Sequence, residues 1–202
     1  MNIDQFYLDR IQQEQDALKK VFNTYFSHND IQNPKILDIC CGCVNEEPVL
    51  FEYFGDKINL ISVDSDPQFK EITETLGRKS FRTGNIFNLG KLVTHNFDLV
   101  VGRNVPLNPN HREYFEAYND PWPAFFSTLP KYMNPSSQLF LTVCRDDEFY
   151  RALEILQSND YELLLKEENR IIVPSDRLGV AGSDIKDNYV VLARFPKLLK
   201  KD

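Results

Sequence analysis

No run of about 18 apolar residues occurs anywhere in the 202-residue sequence, so no segment reads as a membrane-spanning helix. Positive charge is also scarce. Lys and Arg number 23 against 30 Asp and Glu, a formal net charge of −7, with a pI near 5.1. A chain without a basic surplus has little with which to neutralise phosphates, so neither nucleic acid nor an anionic membrane is the expected partner. Glycine is sparse, 8 residues in all, and the sequence contains no G-x-G-x-x-G. Cysteine is limited to Cys40, Cys41, Cys43 and Cys144. Three crowded thiols and one distant one are not the even framework of a secreted disulfide scaffold. C-C-x-C is not a usual zinc-ligand spacing, and with no His pair beside it no metal site is expected. The opening residues Met1-Asn2-Ile3-Asp4-Gln5 are polar and acidic, where a secretory signal is basic and then apolar. The expectation is reduced thiols and a cytoplasmic location.

What is present is the make-up of one ordinary folded domain, 42% apolar, 12% aromatic and 26% charged, large enough to bury its own core. Ile3, Tyr7, Ile11, Leu18, Phe22 and Phe26 recur at mostly four-residue steps, the period of an amphipathic helix. Asn29, Asp30, Asn33 and Pro34 end it, and residues 1–30 read as a helix capping a domain of residues 31–202. Strand and helix then alternate. Strands are expected at 35–40, 58–63, 80–83, 97–101 and 138–143, the third of them at an edge. Helices are expected at 44–54, 67–76, 121–133 and 147–157, with Gly55, Gly77 and Pro135 as stops. Residues 161–166 and 189–195 read as two more strands with only loop between them, so they pair antiparallel. The fold class is therefore α/β: a Rossmann-like doubly wound sheet, mostly parallel, with an antiparallel C-terminal hairpin and helices on both faces.

Open parallel sheets bind ligands beyond the carboxyl ends of their strands, at the point where strand order reverses. The residues leaving those ends are Asp38-Ile39-Cys40-Cys41-Gly42, Asp64-Ser65, Gly84-Asn85-Ile86 and Gly102-Arg103-Asn104. Asp38 and Asp64 can each be read as plain strand-end turn residues; their paired placement is what points to a site.

Ile36-Leu37-Asp38-Ile39-Cys40-Cys41-Gly42-Cys43-Val44 resembles the first motif of class I S-adenosylmethionine-dependent methyltransferases. Val63-Asp64-Ser65, Phe81 through Ile86 and Phe97-Asp98 through Gly102 are similar to the second, third and fourth. The junction around Leu129 to Val143 and the closing hairpin also resemble that family, so the likeness runs over residues 35–195. The resemblance implies S-adenosyl-L-methionine as cofactor and S-adenosyl-L-homocysteine as product, and with the −7 charge against nucleic acid the expected acceptor is a small molecule. Under it, Asp38 anchors the turn and approaches the methionine ammonium, directly or through water. The backbone at Cys40 to Gly42 passes close to the cofactor, Asp64 accepts from the ribose hydroxyls, and Asn85 accepts from the adenine amino group where the family often has Asp. Ile86 offers its backbone N–H to the ring, and Ser65 and Arg103 complete the cofactor-binding candidates.

Two positions depart from the family pattern: Cys40 stands for its first glycine and Val44 for its third. A cysteine fits there if its φ is negative. Arg103-Asn104-Val105-Pro106-Leu107 resembles the Asn/Asp-Pro-Pro-Tyr motif of nucleobase-amine methylation but lacks the second proline and the aromatic. No methylation of DNA or RNA is expected. The aromatic stretch from Asn108 to Trp122 supplies the acceptor-pocket candidates His111, Tyr118 and Trp122, joined by Asn104 just before it, with His111 the candidate general base. It reads equally well as a loop and helix face covering the sheet. Two alternatives stand beside methyl transfer: a catalytically inactive methyltransferase-like interaction domain, and a nicotinamide-dependent oxidoreductase. The latter would ordinarily carry a fuller glycine motif and would not predict the hairpin.

Overall fold

A computed structural model describes residues 5–26, 33–42, 45–94, 96–107, 120–169 and 189–195, with the side chains at 5–7 and 10 outside the description. The elements in chain order are α1 (Gln5–Tyr25), β1 (Lys35–Ile39), α2 (Glu46–Phe54), β2 (Asn59–Asp64), α3 (Gln68–Thr75) and β3 (Phe81–Thr83). A short 3₁₀ turn at Ile86–Asn88 leads into α4 (Leu89–Leu92) and β4 (Phe97–Gly102). Then come α5 (Trp122–Thr128), a 3₁₀ turn at Leu129–Tyr132, β5 (Met133–Val143), α6 (Asp146–Ser158), β6 (Glu162–Glu168) and β7 (Tyr189–Arg194).

The strands form one sheet in the order β3-β2-β1-β4-β5-β7-β6. The first five run parallel, and β7 pairs antiparallel with both β5 and β6. This is the doubly wound sheet with a closing hairpin that the alternation implied. Period-2 alternation sorts β1 between two layers. Leu37 and Ile39 enter a core shared with α5 and α6, whereas Ile36 joins one shared with α1 and α2. On that second face Leu18, Val21 and Phe22 of α1 and Phe26 just after it are buried, and Phe22 stacks on Phe140 of β5 at 4.9 Å. Each such side chain stabilises by about 1.5–3 kcal/mol.

Local chemistry sets the helix ends. The Asp66 carboxylate accepts the Gln68 N–H at 2.9 Å and caps the start of α3. Gly77, at φ +71, lets Arg78 N–H reach back to the Thr73 carbonyl, which closes α3. The reading of 121–133 as one helix is corrected: α5 ends at Thr128 and β5 already begins at Met133. Pro135 therefore lies inside a strand, in the stretch where the β4–β5 register shifts. A bulged stretch is where a ladder tolerates a residue with no N–H. Ile86–Leu92, given no element from sequence, carries two short helical pieces too brief for a periodic signal.

Candidate functional site

Ile39 is in register with Val63 on one side and Gly102 on the other. Cys40, Asp64 and Arg103 therefore stand side by side at the carboxyl edge, where β1 and β4 flank the reversal of strand order. The turn after β1 is pinned to the acid after β2. Gly42 N–H donates to Asp64 Oδ2 at 3.0 Å, and Asp66 N–H donates to Oδ1 at 2.9 Å. Each carboxylate oxygen has two acceptor positions, so one backbone bond apiece leaves capacity for hydroxyl donors. Burial pushes the Asp64 carboxyl up, opposed by those N–H groups. Ser65 is exposed beside it.

Cys40 departs from expectation. Its φ is +55, not negative, and Gly42 is likewise left-handed at +51. The chain must turn sharply off the strand here, and the position that elsewhere takes glycine keeps glycine's conformation with a side chain attached. That conformation costs an L-residue about 1–2 kcal/mol. Cys40→Gly is therefore expected to raise stability by up to about 1 kcal/mol after glycine's extra unfolded-state entropy, and Cys40→Val to lower it; denaturant midpoints decide. Burial and the neighbouring Asp64 and Asp38 carboxylates push the Cys40 thiol up, and burial with the same acids does so for Cys41. Both remain protonated, which makes them poor nucleophiles. Among the described residues no group of His, Cys, Asp and Glu is placed to hold a metal ion.

Asp38 faces the α1/α2 side, as Ile36 does, and is 0% exposed. Among the described residues neither carboxylate oxygen has a well-formed hydrogen bond, although the Ser62 hydroxyl stands close by. Its carboxyl lies well above the usual range, first through burial and then through the nearby Glu46, opposed by the Ser62 hydroxyl and by Arg103. Asp38 thus sits beneath the turn and not in the open crevice.

The sequence reading missed the residues around it. Arg103 Nη2 donates to Glu14 Oε1, and Nη1 donates to Glu46 Oε1 at 2.9 Å. Asn45 Nδ2 donates to Glu14 Oε2 at 2.8 Å. Arg103, expected as a cofactor contact, is also the hub of a buried ion-pair cluster. A signal did exist: Glu14 lies on the α1 stripe between Ile11 and Leu18, an acid on an apolar face.

At the third strand end, Gly84 N–H donates to the Asp64 carbonyl at 2.8 Å, which brings Asn85 alongside. Asn85 Oδ1 accepts Phe87 N–H at 2.9 Å, so the carbonyl expected to meet adenine already caps the 3₁₀ turn. Ile86 is buried. It also borders a cavity of about 360 Å³ between α4 and α5, walled by Phe87, Lys91, Phe125 and Tyr132, whose lining includes neither Asp38 nor Asp64.

Past β4, Asn104 has φ +50, its N–H donates to Thr142 Oγ1 at 3.2 Å, and its Oδ1 accepts the Cys144 thiol at 2.7 Å. Trp122, an acceptor candidate from sequence, packs in the core of the described structure. It is 1% exposed, its indole N–H donates to the Pro106 carbonyl at 2.8 Å, and it packs on Phe87, Phe125 and Phe126. Trp122→Phe is expected to cost about 1 kcal/mol of stability for the lost bond and to leave ligand affinity unchanged, by melting curves and titration. His111, Tyr118, Cys43, Val44, His28 and His95 lie outside the described residues, as does the loop from 170 to 187.

No protein-family model matches the chain, and no curated protein matches it. Solved structures do, at low identity. Magnesium protoporphyrin IX methyltransferase from Synechocystis PCC 6803, with bound SAM, matches over 97% of this chain and 86% of its own, at TM-score 0.60 and 12% identity. N-methyltransferase NodS from Bradyrhizobium japonicum WM9 matches over 96% and 99%, at TM-score 0.58 and 14% identity. Fibrillarin from Aeropyrum pernix, with natively bound S-adenosyl-L-methionine, matches over 91% and 76%, at TM-score 0.62 and 9% identity.

Proposed function

We propose that this chain, whose fold is that of the class I methyltransferases, is an S-adenosylmethionine-dependent methyltransferase acting on a small molecule. The observation that carries the reading is the Asp64 carboxylate, held by Gly42 and Asp66 N–H groups at the end of β2 with acceptor capacity to spare. The residues fit the cofactor. Asp64 matches a ribose diol, the backbone at Gly42 has no Cβ to obstruct approach, and the buried Asp38 carboxyl beneath the turn would be drawn into its ionised form by an ammonium. Arg103, 13% exposed in its side chain, matches the methionine carboxylate. Two of the similar structures hold this same cofactor.

S-adenosylmethionine supplies a methyl group already activated on a sulfonium. The chain's work is to hold the acceptor in line with that methyl and to exclude water, so positioning is the main catalytic term. Asp64 would hold the nucleoside half, while Asp38 and Arg103 would meet the two charges of the amino-acid half. His111 and Tyr118 are the candidates for handling the acceptor, His111 as base where the acceptor must lose a proton. A small-molecule acceptor is favoured over nucleic acid by the −7 charge.

Calorimetric titration with S-adenosylmethionine, S-adenosylhomocysteine and NAD tests the reading. Binding of the first two without NAD supports it. Binding of NAD alone favours the oxidoreductase, and binding of none favours an interaction domain. Methyl transfer to bulk RNA or DNA at physiological salt overturns the small-molecule assignment.

A further inference from the structure

The N-terminal helix contributes a charged residue to the buried cluster beneath the carboxyl-end turn, and no motif of the sheet accounts for it. Glu14 is 0% exposed, with one carboxylate oxygen on Arg103 and the other on Asn45. These partners are not equivalent. Arg103 follows β4, while Asn45 stands between the glycine turn and α2, so a single carboxylate ties together the two segments that border the candidate cofactor. Arg103 is shared in turn with Glu46, and Asp38 lies within electrostatic reach of both. Arg78 also feels Glu46, at longer range. Buried acids of this kind are costly unless paired. A helix serving only as a cover would be better stabilised by an apolar side chain at position 14, between Ile11 and Leu18.

We propose that Glu14 is a positioning residue for the amino-acid half of the cofactor: it orients Arg103 toward the methionine carboxylate and fixes Asn45 at the end of the turn, so that docking of α1 and binding of that half are coupled. The inference rests on the methyltransferase reading above. A bidentate guanidinium recognises a carboxylate only in a fixed plane. Two carboxylates gripping separate Nη atoms supply that plane, which a flexible arginine reaching from solvent would not have. Reciprocity follows: whatever holds α1 in place strengthens the grip on the amino-acid half, and ligand binding steadies α1.

Two ligands separate this role from a merely structural one. S-adenosylhomocysteine carries the amino-acid half; 5′-methylthioadenosine has the same adenine, ribose and thioether without it. In Glu14→Gln, which keeps the shape and loses the charge, the affinity for S-adenosylhomocysteine is expected to fall roughly tenfold, while that for 5′-methylthioadenosine stays within about twofold. Arg103→Lys, which keeps the charge and loses the fork, is expected to show the same selective loss and serves if Glu14→Gln does not fold by its melting curve. Equal weakening of both ligands, or unchanged S-adenosylhomocysteine affinity in folded variants, overturns the positioning role. Wild-type protein that binds neither ligand overturns the methyltransferase reading itself, and with it this inference.

Discussion

Asp64→Ala is expected to weaken S-adenosylhomocysteine binding ten- to a hundredfold, and Asp66→Ala to leave it nearly unchanged. The two acids are two residues apart yet do different work. Asp64 takes one backbone N–H on each oxygen, and one of those bonds sets the glycine turn. Removing it deletes the acceptors for ribose and frees the turn at once. Loss of hydrogen bonds to a charged acceptor costs about 1.5–3 kcal/mol, which is that range in affinity. Asp66 spends its Oδ1 on the Gln68 N–H at the start of α3, so its loss should lower stability by about 1 kcal/mol with little effect on binding. Calorimetric titration of both variants, with melting curves to establish folding, decides. Equal weakening in two folded variants would sink the ribose assignment.

Asp64 was visible in the sequence because it closes a short apolar strand, and strand-end position survives errors of a residue or two in the boundaries. The same logic recovered the hairpin, since residues 161–166 and 189–195 offered no crossover helix. It failed where chemistry is set by distant partners. Nothing near Arg103 in sequence announces that Glu14, 89 residues earlier, will occupy it. The burial of Trp122 was hidden for a related reason: an aromatic beside a polar loop has the same local pattern whether it faces a ligand or a core. Only the Pro106 carbonyl and the surrounding Phe87, Phe125 and Phe126 decide it. Cys40 shows a third limit. Substitution at a glycine position says that a side chain is tolerated, not that the backbone has relaxed, and here φ stayed at +55.

The buried acid of β1 has the opposite signature from Asp64. Asp38→Asn is expected to stabilise the ligand-free protein at neutral and higher pH while lowering affinity for S-adenosylhomocysteine ten- to a hundredfold. Its carboxyl is raised in the folded state by burial and by Glu46. Between the ordinary value of 3.8 and that raised value, the folded chain therefore holds a proton that the unfolded chain has released. More protons bound by the native state means that stability falls as pH rises through this window and stays reduced above it. Asparagine removes the charge, so the variant should lack this decline. An uncharged amide without a partner costs about 1–3 kcal/mol, less than an unpaired buried carboxylate. The ligand reverses the balance. An ammonium placed over the turn needs the ionised form, so binding to wild type within the window should release a proton, and affinity should rise with pH until Asp38 is ionised without help. Loss of that charge-assisted contact in Asp38→Asn corresponds to about 1.5–3 kcal/mol. Melting curves from pH 4 to 9 and titrations in buffers of different ionisation enthalpy measure both halves. A variant less stable than wild type above neutral pH, or one that binds S-adenosylhomocysteine as tightly and with the same proton release, would show that Asp38 is a structural residue of β1 and not the anion that the cofactor's ammonium meets.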